Sequence, residues 1–577
     1  MKIYIKLFLV IAAVLPGCDD FLTEVPQGAY SESSIYRTEA DIRLLVNGLY
    51  QSVNGFSTDN GGFSLRSEFV YLNFTDDNYN RLLNKSTNLD FASTSQVVQN
   101  EYDVRFTPIA YCNDFLSKVD QAEIDIDTDL LNRYKAEVRF IRAFHYDRLN
   151  FLFGDIPLLT EPIGLDEFPL RTNRNAVFDF VTNELTEIAN DLPWSYSDND
   201  VGRITRGAAL GLLARHALNG LSWYGDDAGL YEIARDAAGE VYNEGPYTLA
   251  QGVEGFSSLF TLDAENGGVP GIIWTSNYDI ATRSHNYARM ALPKGAFSGE
   301  RVNNSHYLTP TNKLVEAFQM SNGLDIRDPA SGYDPADPWV DRDPRLDITI
   351  IRAGESIPQI GGDGISPTYV FDAHPLITPE GGVTTDDVSN GGVGRTGYSF
   401  QKYMHYDFIT SQEDHIDYIM MRFAEIILMY AEALAGADGN IGLATTLVDE
   451  VRNRVGMPGV VDSYGAVNGV DDMIEIILQE RRFEFACEGP HRYMDIKRYR
   501  LGEELFVSGT DPGEGPTVYG IPLGPGGVPD STVVEGNLDF SVKQVAGVRN
   551  FDPNTYYWWP LPQESVDRNP ELLKDPI

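Results

Sequence analysis

The stretch from Leu478 to Arg498, LQERRFEFACEGPHRYMDIKR, constrains the fold more than any other, because it sets charges of both signs on an apolar helical stripe. Ile474, Ile477, Leu478 and Phe485 recur at helical spacing, while Glu480, Arg481, Arg482 and Glu484 occupy the same turns. Gly489-Pro490 predicts the helix stop, since glycine accepts a left-handed cap and proline cannot continue the hydrogen-bond ladder. His491, Arg492, Tyr493, Asp495, Lys497 and Arg498 follow, too polar for a core and too aromatic for an ordinary loop. The segment reads as a buried joint whose charges must be held in place.

Charge narrows the partners. With 85 acidic against 44 basic residues the formal charge is −41, which argues against nucleic acid and anionic membrane and favours an uncharged ligand. The 31 Tyr and 29 Phe supply abundant stacking surface, most of it destined for the core. At the N-terminus, Lys2 and Lys6 precede an apolar run, Leu7 to Leu15, too short to span a bilayer. Leu15-Pro16-Gly17-Cys18 then resembles a bacterial lipobox, so residues 1–17 are expected to be a lipoprotein signal peptide and Cys18 the lipidated first residue. Asp19-Asp20-Phe21 resembles the acidic export tag of surface lipoproteins in Bacteroidetes. Cys112 and Cys487 remain, and two buried free thiols are expected rather than a bridge. Tyr418 to Ala437 carries Arg422, Glu425 and Glu432, which excludes it as a membrane span.

Along the chain, residues 18–37 form a polar tether, and Thr38 with Asp41 makes a capping box for a first helix. Helical periodicity follows over about 97–120, 131–152, 175–191, 206–219 and 229–243, then again over 420–436 and 441–455. The last two, joined by Asp438-Gly439-Asn440, and the pair around 207–242 look like degenerate tetratricopeptide units. Residues 245–415 change character, with a strand at Ile272 to Thr275 among Gly and Pro turns. The expected division is a helical part over 38–244, a loop-rich insertion lobe over 245–415 and a C-terminal part over 416–577. Gly502 to Asp530 is rich in turn residues and predicts surface loops, and Tyr556 to Pro562 predicts an aromatic plug on the body.

Six segments in order resemble the SusD/RagB family of outer-membrane lipoproteins. They are CDDFLTEVP from Cys18, RAFHYDRLNFLFGDIPLL from Arg142, RDPRL from Arg342, RFAEIILMYAEAL from Arg422, ERRFEFACEGPHRYMDIKR from Glu480 and YYWWPLPQESVDRNPEL from Tyr556. The resemblance spans essentially the whole chain beyond the leader, although the end, Leu573 to Ile577, departs from the usual family ending. It implies a mainly α fold with tetratricopeptide-like helix pairs plus a loop-rich lobe with short strands. It also implies a protein facing the cell exterior that captures oligosaccharide or polysaccharide, or in some members peptide, for a SusC-like TonB-dependent transporter. No catalysis, cofactor or metal is implied.

A sugar site needs exposed aromatic rings beside polar groups that bond hydroxyls. Three stretches offer that: Asp76, Asp77, Tyr79 and Arg81, at the position of a ligand-contacting loop in the family; His285, Asn286, Tyr287 and Arg289; and Asn303, Asn304, His306 and Tyr307. Trp339, Trp223 and Tyr224 are weaker candidates, because Trp is usually packing. Gly392 to Gly397 matches GxGxxG but lies in a Gly-rich loop and reads as a turn. HExxH, GxSxG, Walker and Cys/His zinc patterns are absent. Asp341, Asp343 and Asp347 alternate with Arg342 and Arg345, which favours internal ion pairs over calcium. With so many acids, a surface glycoside hydrolase with an unrecognised carboxylate pair stays open as an alternative.

Overall fold

The computed structural model describes residues 35–53, 55–56, 67–81, 89–164, 166–224, 228–297, 306–361, 364–371, 373, 394–404, 406, 414–507, 515–523 and 539–577. The leader, Cys18 and most of the tether lie outside the described residues, as do Asn303 and Asn304. The Thr38–Asp41 capping box forms as the sequence predicts: the Asp41 amide donates to Thr38 Oγ1 (3.3 Å) and the Thr38 amide to Asp41 Oδ2 (3.0 Å). It opens helix α1 (Glu39–Tyr50), followed by α2 (Gln96–Val119), α3 (Thr128–Phe153), α4 (Arg174–Ile188), α5 (Arg206–Tyr224) and α6 (Ala228–Glu244). After the lobe come α7 (Phe423–Asp438), α8 (Ile441–Arg454), α9 (Val470–Glu484) and α10 (His491–Arg498).

The fold is mainly α. Helix α5 packs on α6, α6 on α7, and α7 on both α8 and α9, so the pairs read from sequence stack across the intervening lobe. Gly439 ends α7 at φ +61°, and the Asn440 side chain caps α8 by accepting from the Leu443 amide. No helix among the described residues is long and apolar enough to cross a membrane.

Strands occur among the described residues only as two-stranded antiparallel ribbons. These are β1 (Asn78–Asn80) with β3 (Leu308–Pro310), β2 (Ile272–Ser276) with β8 (Tyr418–Arg422), and β4 (Ile350–Ile351) with β7 (Ser399–Phe400). The others are β5 (Ser356–Gly361) with β6 (Gly364–Val370), and β9 (Thr517–Leu523) with β10 (Asp539–Val548). Two expectations are corrected here. The helix expected from 420 starts at Phe423, because Tyr418 to Arg422 is buried on both faces and pairs with β2. Part of the turn-rich tract, Thr517 to Leu523, is strand.

The opening stretch is the joint that the sequence predicts, with its counter-charges now named. Helix α9 ends at Glu484, a few residues before Gly489, and His491 to Arg498 is itself a helix. Glu484 accepts from Arg422 Nη1 (2.5 Å), Arg454 Nη2 (2.6 Å) and Arg345 Nη1 (3.0 Å), and Glu480 from Arg345 (2.5 Å) and Arg452 (2.8 Å). Burial pushes the Glu484 carboxyl up, but the charges of Arg454, Arg422 and Arg345 hold it far below the usual range. Glu488 completes the cluster with Arg422 and Lys402. The Arg345–Asp343 pair at 2.8 Å is the internal pairing expected of the Asp/Arg run.

The aromatic plug docks: Trp559 stacks on Phe91 at 4.7 Å between ring centroids, and its Nε1 donates to the Tyr493 hydroxyl (3.0 Å). Cys112 and Cys487 are buried free thiols.

Candidate functional site

The three stretches singled out in the sequence meet at one place. In the β1–β3 ribbon, Asn78 faces Pro310, Tyr79 faces Thr309 and Asn80 faces Leu308. The pairing extends outward, because the Arg81 amide donates to the Tyr307 carbonyl (3.0 Å). The His306 and Tyr307 amides donate to the carbonyls of Arg289 (3.2 Å) and Met290 (3.0 Å), and the Gly394 amide donates to the His306 carbonyl (2.9 Å). Residues 76–81, 286–290, 306–310 and 394–397 therefore form one backbone-paired patch.

The joint holds this patch from beneath. Arg492 makes a bidentate pair with Asp76, Nε to Oδ1 at 2.9 Å and Nη2 to Oδ2 at 3.0 Å. Arg482 Nε donates to Asp77 Oδ1 (2.9 Å), and Lys313 Nζ lies 3.6 Å from Asp76 Oδ2. Burial raises the Asp76 carboxyl, yet Arg492, Arg482 and Lys313 overcome it and hold the group well below the ordinary aspartate range. Arg549, entering from the end of the β9–β10 ribbon, donates to the carbonyls of Thr75 and Asn78.

Most of the nominated side chains turn inward, which corrects their expected exposure. Asp76 and Asp77 are buried and tied to arginines. Tyr287 is fully buried in an aromatic cluster, 4.8 Å from Phe56 and 4.9 Å from Phe69, with its hydroxyl 3.1 Å from Cys487 Sγ. Asn286 is buried beside it, and His285 Nε2 lies 3.0 Å from the Ile416 carbonyl, with burial pushing its pKa down to about 3. His306 is buried at φ +53° with Nε2 3.1 Å from the Tyr398 carbonyl. The aromatics rated weaker pack as well: Trp223 on Phe178 and Trp558, Trp339 on Tyr398 under Arg352.

What reaches the edge of the patch is Arg81, half-buried, while Tyr79 and Tyr307 beside it turn inward and are buried. Tyr79 packs in a small cluster with Val518 and Ala546. Gly547 permits that approach, because a Cβ there would fall 2.7 Å from the Tyr79 ring. Burial raises the Tyr307 phenol, with Arg289 and Arg81 pulling the other way. Arg289 and Arg395 are likewise half-buried, and Arg395 Nη1 donates to the Ala546 carbonyl (3.4 Å). Sequence reasoning missed Arg395; the only signal was a cation inside the Gly392–Gly397 loop, of which the described residues 394–397 form the expected turn.

A separate cleft of about 580 Å³ opens beside α9, lined by Tyr231, Asp471, Glu475, Arg492, Tyr499 and Glu504 among others. Its acids outnumber its cations, and Arg492 is committed to Asp76. No group of three or more His, Cys, Asp or Glu among the described residues is arranged to hold a metal ion.

A stacked helical scaffold that supports a loop-built patch of tyrosines and arginines defines a helix-based binding protein, and the family follows from comparison with known proteins. A family model described as the SusD family matches residues 270–577, more than half of the chain, and another, described as "Starch-binding associating with outer membrane", matches residues 20–218. The chain belongs to the SusD family. SusD-like protein P2 of Formosa agariphila is 24% identical, with 99% of each chain aligned. The starch-binding protein SusD of Bacteroides thetaiotaomicron is 26% identical over 69% of this chain and 70% of its own. Among solved structures, a SusD-like carbohydrate-binding protein of Bacteroides fragilis superposes with a TM-score of 0.75 at 22% identity, covering 93% of this chain and 99% of its own. A surface glycan-binding protein A of Bacteroides uniformis gives 0.64 at 19% identity, covering 92% and 98%. These structural likenesses establish the fold.

Proposed function

We propose that this chain is a carbohydrate-binding lipoprotein of the outer membrane, anchored through Cys18 and facing the exterior, that holds oligosaccharide for a SusC-like TonB-dependent transporter. The observation that carries the reading is the gathering of three half-buried arginines, Arg81, Arg289 and Arg395, on one backbone-paired patch in a member of the SusD family. Guanidinium groups donate to sugar hydroxyls. In this reading the protein acts by binding: Asp76 and Asp77, the carboxylates of residues 76–81, are paired with Arg492 and Arg482 and are not free for acid–base work.

Affinity electrophoresis and calorimetry against a panel of polysaccharides test this. Binding is expected to weaken at least tenfold in Arg81→Ala and Tyr79→Ala. Full affinity in both variants moves the site elsewhere, and release of shorter products from a bound glycan assigns the chain to the hydrolases instead. Co-purification of a TonB-dependent transporter with the membrane-extracted chain tests the partner.

A further inference from the structure

Arginines in this molecule follow a rule. Those that are buried pair with carboxylates, as Arg105 does with Glu68, Arg148 with Asp147, Arg215 with Glu425 and Arg345 with Asp343. Arg342 and Arg549 instead donate to two or more backbone carbonyls. The half-buried Arg81 and Arg395 have neither arrangement among the described residues. Among the described residues Arg81 has no side-chain or carbonyl acceptor, and its Nε is buried without a partner. Arg395 has the single long bond to Ala546.

The backbone ties the segments of both to His306–Tyr307. Arg81 bonds to the Tyr307 carbonyl, and Gly394, the neighbour of Arg395, bonds to the carbonyl of the adjacent His306. Burial and the positive charge of Arg395 both disfavour the Arg81 cation. Two like charges thus act on each other, partly desolvated and without a paired carboxylate among the described residues, in a chain with an excess of 41 negative charges. An anion placed between them relieves both the repulsion and the missing hydrogen bond.

Resting on the glycan-binding reading, we infer that Arg81 and Arg395 recognise an acidic substituent, a carboxylate or a sulfate ester, on the captured oligosaccharide. Guanidinium forks bind planar carboxylates and tetrahedral oxyanions in bidentate fashion. The ligand class thereby differs from the uncharged one that net charge alone suggests. The screening length at physiological salt is about 8 Å, so beyond the patch the rest of the chain's charge is largely screened while the two guanidiniums act at contact. The cleft beside α9 does not compete for such a ligand, because Asp471, Glu475 and Glu504 line it.

The test uses the full-length chain in detergent and calorimetry with paired probes. Oligogalacturonides are compared with their carboxyl-reduced forms, and sulfated galactan oligosaccharides with their desulfated forms, so the two arms separate carboxylate from sulfate. At least one acidic probe is expected to bind tenfold or more tighter than its neutral partner. Arg81→Gln and Arg395→Gln each erase that ratio, with melting temperatures within 2 °C of the parent confirming the fold. Equal affinity for acidic and neutral members of each pair, or a ratio that survives both substitutions, overturns the inference and leaves glycan binding standing. Binding of acidic peptides with no affinity for any glycan overturns both.

Discussion

Replacing Arg492 by Met removes the bidentate partner of Asp76 and nothing else of comparable charge. Breaking a buried ion pair from one side costs about 3–5 kcal/mol, because the surviving ion stays desolvated. Asp76 keeps Arg482 Nη2 at 3.3 Å and Lys313 Nζ at 3.6 Å, which places the expected loss at the low end, about 3 kcal/mol. A chain of 577 residues unfolds with an entropy of about 1.2 kcal/mol/K, so Tm falls by about 2–3 °C. The Asp76 carboxyl is depressed in the folded state, so its contribution is complete above its unfolded value of 3.8 and is lost as pH falls through the folded one. The difference between parent and variant is therefore largest at neutral pH and closes on acidification below about 3.8. Asp76→Asn in the same chain removes the stranded charge, and the double variant should recover about 2 kcal/mol relative to the single one. Urea unfolding followed by tryptophan fluorescence and far-ultraviolet dichroism measures these terms where the two transitions coincide. A double variant as unstable as the sum of the single ones, or a loss undiminished at acid pH, refutes the assignment of this pair as the support beneath the patch.

Three further outcomes follow from buried groups elsewhere. His491 stacks on Phe485 at 4.4 Å between centroids, and burial holds its pKa down at about 4, so His491→Ala should cost about 2–3 kcal/mol in chemical denaturation while the folded fraction binds ligand normally. Lys497 is buried with the Phe151 carbonyl as its acceptor, and burial alone drives its pKa well down. Lys497→Met, which keeps the stem and removes the charge, should be neutral or stabilising by about 1–2 kcal/mol in the same assay; a destabilised variant counts against a desolvated ammonium. Burial pushes Asp414 up to about 7 despite the His415 and Ile416 amides that it accepts. This proton is held in the folded state and lost in the unfolded one between about 3.8 and 7, so stability falls as pH rises through that window. Asp414→Asn should then raise Tm at pH 8 and leave it unchanged near pH 4.

The helices were legible because each buries one face at a 3.6-residue period, and their ends carry caps that a short motif reveals, as at Thr38 and Gly439. Strand β8 was not, because Tyr418 to Arg422 is covered on both faces and continues without a break into the apolar helix α7. The patch was half legible. Residues 76–81, 285–289 and 303–307 were named from the sequence and residues 394–397 only as a turn, yet Asp76, Asp77, Tyr79, Asn286, Tyr287, His306 and Tyr307 turned inward, since mixed polar and aromatic residues serve a buried network as well as a ligand. What decides between the two is the position of the counter-charge. Asp77 and Arg482 are 405 residues apart in sequence, Asp76 and Arg492 416, and no local window contains both members of either pair.

That separation also explains why the joint and the patch belong together. Arg482 and Arg492 are spent on residues 76–77, which fixes the loop that carries Tyr79 and Arg81 a few residues on. The joint therefore serves the patch by holding the backbone that carries it and by pairing the two acids of that loop. The same residue type has opposite fates in one chain: an arginine satisfied by a carboxylate or by several carbonyls is structural, and one left without either is the kind a ligand can engage.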